Sequence, residues 1–385
     1  MSILFTPHDI GPLRVRNRFV FSACEDGAAT DGGLVTDAVL RRNRLVARGE
    51  IGLIISTHMS VHPEGRTRLK QVGIHRDEMI QGLRELAGAV HEQGAKIVFQ
   101  LGHAGLQGPT GAGPSGPGQL SEDAIVEVIR AFVAAAARAA EAGADGVQIH
   151  AAHGYLVNEF LSPYFNRRTD AWGGPEENCF RLLKEIVTET RRALPSDMAL
   201  MVKLNSCDFT SREGITPPLA VRYAGSLAGL GVDALEVSCG TSQTAPWNMC
   251  RGEIPVKELL PRFPEAQRPA VESTLLSYAD KFKLTSEGYN LEAAKMIRRV
   301  AGGMIVFPVG GWRTLRAMED VVTRRDTEFV SLCRPLIREP FLVKNFHERK
   351  VQAALCNNCN KCLAALANDM PVRCYVNGFA APLPE

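Results

Sequence analysis

One pattern recurs along the chain and constrains its fold more than any other: an amphipathic helical stretch, a glycine, then a short apolar run. It appears as ARGEIGLIIS (47–56), EQGAKIVFQ (92–100), EAGADGVQIH (141–150) and GLGVDALEVS (229–238). The glycine suits a left-handed helix cap, and two or three further residues make the loop into a strand. Runs such as GLII, KIVF and ALEV are apolar throughout. They are expected to be strands buried on both faces, as in a parallel sheet covered by helices.

Extending the pattern gives eight strands, near 18–22, 51–56, 96–101, 146–150, 199–204, 233–238, 304–309 and 328–333. Helices are expected near 36–48, 77–93, 121–142, 176–193, 217–229, 289–301, 313–324 and 339–349. Eight strand–helix units in a chain of 385 residues predict an α/β fold, a closed (β/α)8 barrel, which needs ~250 residues plus insertions. The rival is a doubly wound open sheet, which more often carries a glycine-rich phosphate turn after its first strand; none is present. Residues 1–350 are therefore read as the barrel and 351–385 as a short cysteine-rich appendix. Two long loops, 105–120 and 240–288, leave the C-terminal ends of strands three and six. That end is where barrel active sites are built.

The formal charge is +2, with basic residues scattered along the chain, so no nucleic-acid footprint is read. No stretch near the N-terminus is apolar enough for a signal peptide or a membrane span, and the expectation is a cytoplasmic protein. Of ten cysteines, Cys356, Cys359, Cys362 and Cys374 crowd the last 30 residues. In a reducing compartment this spacing points to metal or redox chemistry rather than disulfides.

The barrel reading brings polar groups from many strands to one rim. Strand one leads into Ala23 and Cys24, strand two into His58, and strand three ends in Gln100. Strand four delivers His150, His153 and Tyr155 within HAAHGYL, and strand five carries Lys203. Strand seven ends in Gly310-Gly311 and strand eight in Cys333-Arg334. The last two loops of barrels commonly hold phosphate, which suits two glycines and an arginine; a tight turn with a surface arginine is the plainer reading. A cofactor with a phosphate tail explains more of the set. Gln100 can pair with a pyrimidine-like edge, and Lys203 can stabilise negative charge on a reduced flavin, although a simple ion pair would also account for it. His103 lacks such company and reads as structural.

These residues carry a resemblance. HAAHGYL followed by VNEFLSPYFNRRTDAWGG, together with GLIISTHMSVHPEGR, VHEQGAKIVFQLGHAGLQ, VKLNSCDF, VGGWRT and CRPLI, resembles the Old Yellow Enzyme family of FMN-dependent ene-reductases over most of residues 1–350. The resemblance implies a flavin site at Ala23, Cys24, His58, Gln100, Lys203, Gly310, Gly311, Cys333 and Arg334. It also implies that His150 and His153 bind a substrate carbonyl while Tyr155 protonates the carbon α to it. The expected reaction is reduction of the C=C bond of an α,β-unsaturated carbonyl compound, with NAD(P)H as electron donor. Departures from the family pattern are Ala23-Cys24, Thr57-His58, Lys203 in place of arginine, and Cys333 in place of glycine. They bear on the flavin's potential and the substrate pocket.

CNNCNKC (356–362) with Cys374 reads C-x2-C-x2-C-x11-C. Three close thiolates and a distant fourth suit a [4Fe–4S] cluster, with zinc and uncoordinated thiols as alternatives. The spacing resembles the iron–sulfur branch of the same family, which includes 2,4-dienoyl-CoA reductase, enoate reductase and trimethylamine dehydrogenase. That branch continues into an FAD- or nucleotide-binding half, and the expectation is a chain without one. The alternatives to alkene reduction are therefore amine-type oxidation, or an electron relay between FMN and cluster that works with a separate redox partner protein. A homo-oligomer is left open.

Overall fold

The computed structural model describes residues 2–108 and 116–379. Residues 109–115 of the expected 105–120 loop, and the last residues of the cysteine-rich segment, lie outside the described residues. A two-stranded hairpin comes first, β1 (His8–Ile10) and β2 (Leu13–Val15), antiparallel in the register Ile10↔Leu13. Eight parallel strands follow: β3 (Phe19–Phe21), β4 (Leu53–Ser60), β5 (Lys96–Gly102), β6 (Gly146–Ala151), β7 (Ala199–Asn205), β8 (Ala234–Ser238), β9 (Ile305–Pro308) and β10 (Val330–Leu332). They lie in sequence order around one sheet, with β10 paired to β3. A single parallel bridge between Val309 and Ser331 joins the remaining edges and closes the ring. The eight-stranded barrel and the first seven of its expected helices stand where the sequence places them.

Two cores follow from the period-2 alternation of strand side chains. Outward residues such as Val147, Ile149, Leu200, Val202, Leu204, Leu235 and Val237 pack against the helices in one cluster. Inward residues at the lower end, Val20, Leu53, Ile55, Val98, Met201 and Phe307, form a second cluster that Ile10, Leu13 and Val15 of the hairpin seal from below. The hairpin is not apparent in the strand–helix pattern because it belongs to no such unit. Its turn contains Gly11 at φ +54, where a Cβ would lie 2.0 Å from Asp233 Oδ1.

Continuing along the same inward rows, the side chains change from apolar to polar: Val98 to Gln100, Met201 to Lys203 to Asn205, Ala234 to Glu236 to Ser238, Phe329 to Ser331. The barrel is thus filled with hydrocarbon at its base and lined with polar groups at its C-terminal rim. This gradient positions the site.

Three departures from expectation concern the rim. The helix expected over 339–349 is two short helices, Arg334–Arg338 and Leu342–His347. Glu339 between them is extended (φ −132, ψ 77) because it precedes Pro340. The 240–288 insertion carries short helices, including Arg268–Ser277. The segment read as an appendix folds back over the barrel mouth: Arg313 Nη2 donates to Ala354 O at 3.3 Å, and Lys361 pairs with Glu258 of the insertion at 2.9 Å. Among the described residues no helix is long and apolar enough to cross a membrane.

Candidate functional site

A cavity of about 690 Å3 opens at the C-terminal rim, and all twelve flavin-site and catalytic residues expected from the sequence line it. Each arrives for a local reason. β4 and β5 pair in step up to Ile55↔Val98 and resume at His58↔Gln100, so β4 carries one extra residue there. Such a bulge re-aims the side chains beyond it, and His58 turns into the cavity. Gly102 leaves room for it, since a Cβ at that position would lie 1.9 Å from His58 Nε2. Both ring nitrogens of His58 are buried without a protein partner.

β6 ends in the turn that carries the proton-handling groups. His153 is left-handed (φ 66) and Gly154 follows at φ 77. The surroundings hold this strained backbone: His153 N–H donates to Asn205 Oδ1 (3.2 Å), and its carbonyl accepts from Ser242 N–H (2.9 Å). Ser238 Oγ lies 2.7 Å from His153 Nε2. Four aromatic or imidazole rings meet here. His58 lies 4.6 Å from Tyr155 and 5.0 Å from His150, and His150 lies 4.9 Å from Tyr155 and 5.2 Å from His153, centroid to centroid.

Burial sets the protonation states of this group. Desolvation pushes His58 down to about 3 and holds His150 and His153 well below the usual imidazole range, with neighbouring imidazoles adding to the effect. All three are neutral at pH 7. Burial, and then the carboxylate of Glu25, push the Tyr155 phenol above its ordinary value, so it keeps its proton. Ser242 shares a hydrogen bond with the Tyr155 hydroxyl. His103, read as structural, lies outside the cavity lining.

The floor is a buried polar set. Lys203 Nζ lies 3.1 Å from Glu236 Oε2 and donates to Ser22 Oγ at 2.9 Å, and Gln100 Nε2 donates to Gln148 Oε1 at 2.7 Å. At the far side, Gly310 (φ 129) and Gly311 (φ 78) pass beneath the Tyr289 ring, which a Cβ on Gly310 would approach to 2.4 Å. Arg334 donates to Arg251 O at 2.9 Å and to Asn360 Oδ1. Among the described residues no carboxylate pairs with it, which leaves its charge for an anion in the cavity.

Sequence reasoning missed several residues because they reach the cavity only through tertiary contact. Ser242, Trp247 and Tyr289 come from the long loop after β8, Glu25 and Arg68 from earlier loops, and Asn358, Leu363 and Leu366 from the cysteine segment. Long loops at this end of a barrel were the available signal.

The four cysteines Cys356, Cys359, Cys362 and Cys374 surround one small void of about 20 Å3, with Arg334 and Arg338 beside it. Asn358 (φ 58) and Asn360 (φ 56) are left-handed and curl the CNNCNKC loop around it. Burial pushes the thiols of Cys356 up and of Cys362 up to about 12. No set of three or more ligand side chains among the described residues is gathered tightly enough to form a ready metal centre.

The model of the NADH:flavin oxidoreductase / NADH oxidase family matches residues 3–218. The chain belongs to that family. It is 32% identical over 355 residues to an NADPH dehydrogenase of Bacillus subtilis (strain 168), covering 89% of this chain and 93% of that one. Family membership makes it an FMN-dependent flavin oxidoreductase. Likeness of fold extends through the cysteine segment. A structure of a 2-naphthoyl-CoA reductase with 2-naphthoyl-CoA superposes with a TM-score of 0.84 at 24% identity, over 97% of this chain and 57% of that one. A histamine dehydrogenase from Rhizobium sp. 4-9 superposes with a TM-score of 0.80 at 23% identity, over 97% and 52%. The chain spans just over half of those two proteins.

The residues present fit FMN. Arg334, paired with no carboxylate among the described residues, lies beside the Gly310-Gly311 backbone and suits its phosphate, and Gln100 and Lys203 on the floor suit the polar edge of its ring system.

Proposed function

We propose that the protein reduces the C=C bond of an α,β-unsaturated carbonyl compound. The observation that carries this reading is the contact of His150, His153, His58 and Tyr155 in one cavity, three neutral imidazoles around one protonated phenol. FMN, held by Gln100, Lys203, Gly310, Gly311 and Arg334, would supply the hydride for the β carbon of the alkene. Negative charge would then develop on the carbonyl oxygen, where neutral imidazole N–H groups are the matching donors. Among the described residues Nδ1 of His150 is buried without a protein partner, and Ser238 can donate to His153 Nε2, which leaves Nδ1–H of His153 for the substrate. Each such donor is worth roughly 10²–10³ in rate. Tyr155, kept protonated by burial, gives its proton to the α carbon, a general-acid contribution of about 10²–10⁴. Ser242 holds the hydroxyl in place through its own bond to His153 O at 3.1 Å. Trp247, Leu259 and Phe263 give the cavity an apolar side.

A second reading keeps the same flavin site but runs it with a [4Fe–4S] cluster on Cys356, Cys359, Cys362 and Cys374, as an amine-type dehydrogenase or an electron relay to a partner protein. It is favoured by the higher TM-scores to the reductase and dehydrogenase above, each over 97% of this chain, than to morphinone reductase, at 0.68 over 93%. Steady-state assays separate the two. Turnover of cyclohexenone with NADPH or NADH, without turnover of histamine or trimethylamine against a dye acceptor, supports alkene reduction. The opposite pattern on fully FMN-loaded protein supports the dehydrogenase.

A further inference from the structure

The cavity floor rests on a relay of six side chains that crosses the barrel: Ser22, Gln100, Gln148, Lys203, Glu236 and Ser331. Four of them face the cavity, whereas Gln148 and Glu236 lie beneath it and are 0% exposed. Glu236 is the hub. Its Oε2 receives Lys203 Nζ and Gln148 Nε2, both at 3.1 Å, and its Oε1 receives Ser331 Oγ at 2.7 Å. An ionised carboxylate only accepts hydrogen bonds. Gln148 must therefore turn its amide nitrogen toward Glu236 and its Oε1 toward Gln100. Gln100 must in turn donate Nε2 to that oxygen, at 2.7 Å. Among the described residues no protein group donates to the remaining atom of Gln100, its carbonyl Oε1.

We propose that Glu236 is the positioning residue that sets both the charge and the hydrogen-bond polarity of the flavin-facing floor, by holding Lys203 in a buried ion pair and by making Gln100 present a carbonyl oxygen. The proposal rests on the FMN reading of the cavity. A flavin's pyrimidine ring carries an imide N–H, which needs an acceptor, and Gln100 Oε1 supplies one. The same ring gains negative charge on reduction, which a cation stabilises. Lys203 paired with Glu236 offers less of that stabilisation than a lone ammonium in a medium of low dielectric constant. Glu236 thus keeps the flavin a stronger reductant while leaving the cation in place as a donor.

The test is the two-electron midpoint potential of FMN in the full chain. Glu236→Gln leaves Lys203 without its counter-charge. The expected result is a rise corresponding to at least a tenfold shift in the reduction equilibrium, about 30 mV for two electrons. Glu236→Asp, which keeps the charge, should stay within that margin of the parent protein. An unchanged potential in FMN-loaded Glu236→Gln overturns the charge half of the proposal. Gln148→Leu removes the relay but spares the ion pair. It should raise the FMN Kd about tenfold without moving the potential, and an unchanged Kd overturns the polarity half. Failure of the parent protein to bind FMN at all would instead sink the reading of the cavity.

Discussion

Arg334 and Asn360 are hydrogen-bonded across the two parts of the site, guanidinium to amide oxygen, so the arginine at the end of β10 is anchored by the cysteine loop. Asn360 is 1% exposed, and its amide nitrogen donates to Cys250 O at 2.7 Å and Glu253 O at 2.9 Å. One side chain therefore ties the loop, the β8 insertion and the anion-facing arginine together. Asn360→Ala is expected to weaken FMN binding about tenfold, the range for losing a hydrogen bond to a charged group. Riboflavin, which has no phosphate, should lose much less. Fluorescence titration of flavin-free protein with both ligands reads the difference, and equal losses would remove Arg334 from the phosphate site.

Tyr155→Phe keeps the ring that packs 4.6 Å from His58 and 4.9 Å from His150 and deletes only the hydroxyl. Alkene reduction should fall by about 10²–10⁴, the value of a positioned general acid. Reduction of the flavin by NAD(P)H should change little. Stopped-flow measurement of the two half-reactions checks this, and equal loss in both would take the proton-donor role from Tyr155.

The parts of this molecule that were legible in the sequence are those written locally. Strands β4, β5, β6, β8 and β9 were legible because each is a short apolar run after a helix and glycine, and HAAHGYL because three proton-handling residues fall within six positions. Glu236 was not, since ALEV reads as a buried strand and only the inward row it shares with Ala234 and Ser238 shows where its carboxylate points. The aim of His58 depended on a one-residue bulge against β5, and the cover over the mouth on contacts such as Lys361 with Glu258, 103 positions apart in the numbering. Pairings at that separation leave no periodicity to read.

The buried imidazoles make stability depend on pH. His58 and His103 titrate near 3 in the folded protein against an ordinary 6.5, and His150 and His153 are also depressed. Their folded values lie below their unfolded ones, so between about pH 6.5 and 3 the unfolded chain binds more protons and stability falls as pH falls. The stabilising contribution is complete above pH 6.5. Each group adds a slope of up to about 1.4 kcal/mol per pH unit inside that window. Urea midpoints measured from pH 8 to 4.5 should decline below pH 6.5, and His58→Asn should make the decline shallower. A midpoint that stays flat to pH 5 would contradict buried neutral histidines.

The cysteine loop makes the last prediction, and it separates the metal from the flavin. Cys356, Cys359, Cys362 and Cys374 share one void, whereas Cys250 lines the flavin cavity. Cysteine binds a cation only as thiolate, so a cluster would have to draw off protons that burial holds on Cys356 and Cys362, and Arg334 and Arg338 beside the void would offset the negative charge it brings. On the second reading, protein purified without air contains about four irons and four sulfides per chain, the content of a cluster with four cysteine ligands. Cys359→Ser should lose most of that iron and keep its FMN, and Cys250→Ser should keep its iron. Metal analysis with flavin absorbance decides the matter: zinc in place of iron would make the loop a structural clasp, and neither metal in never-oxidised protein would leave the four thiols as packing around Asn360.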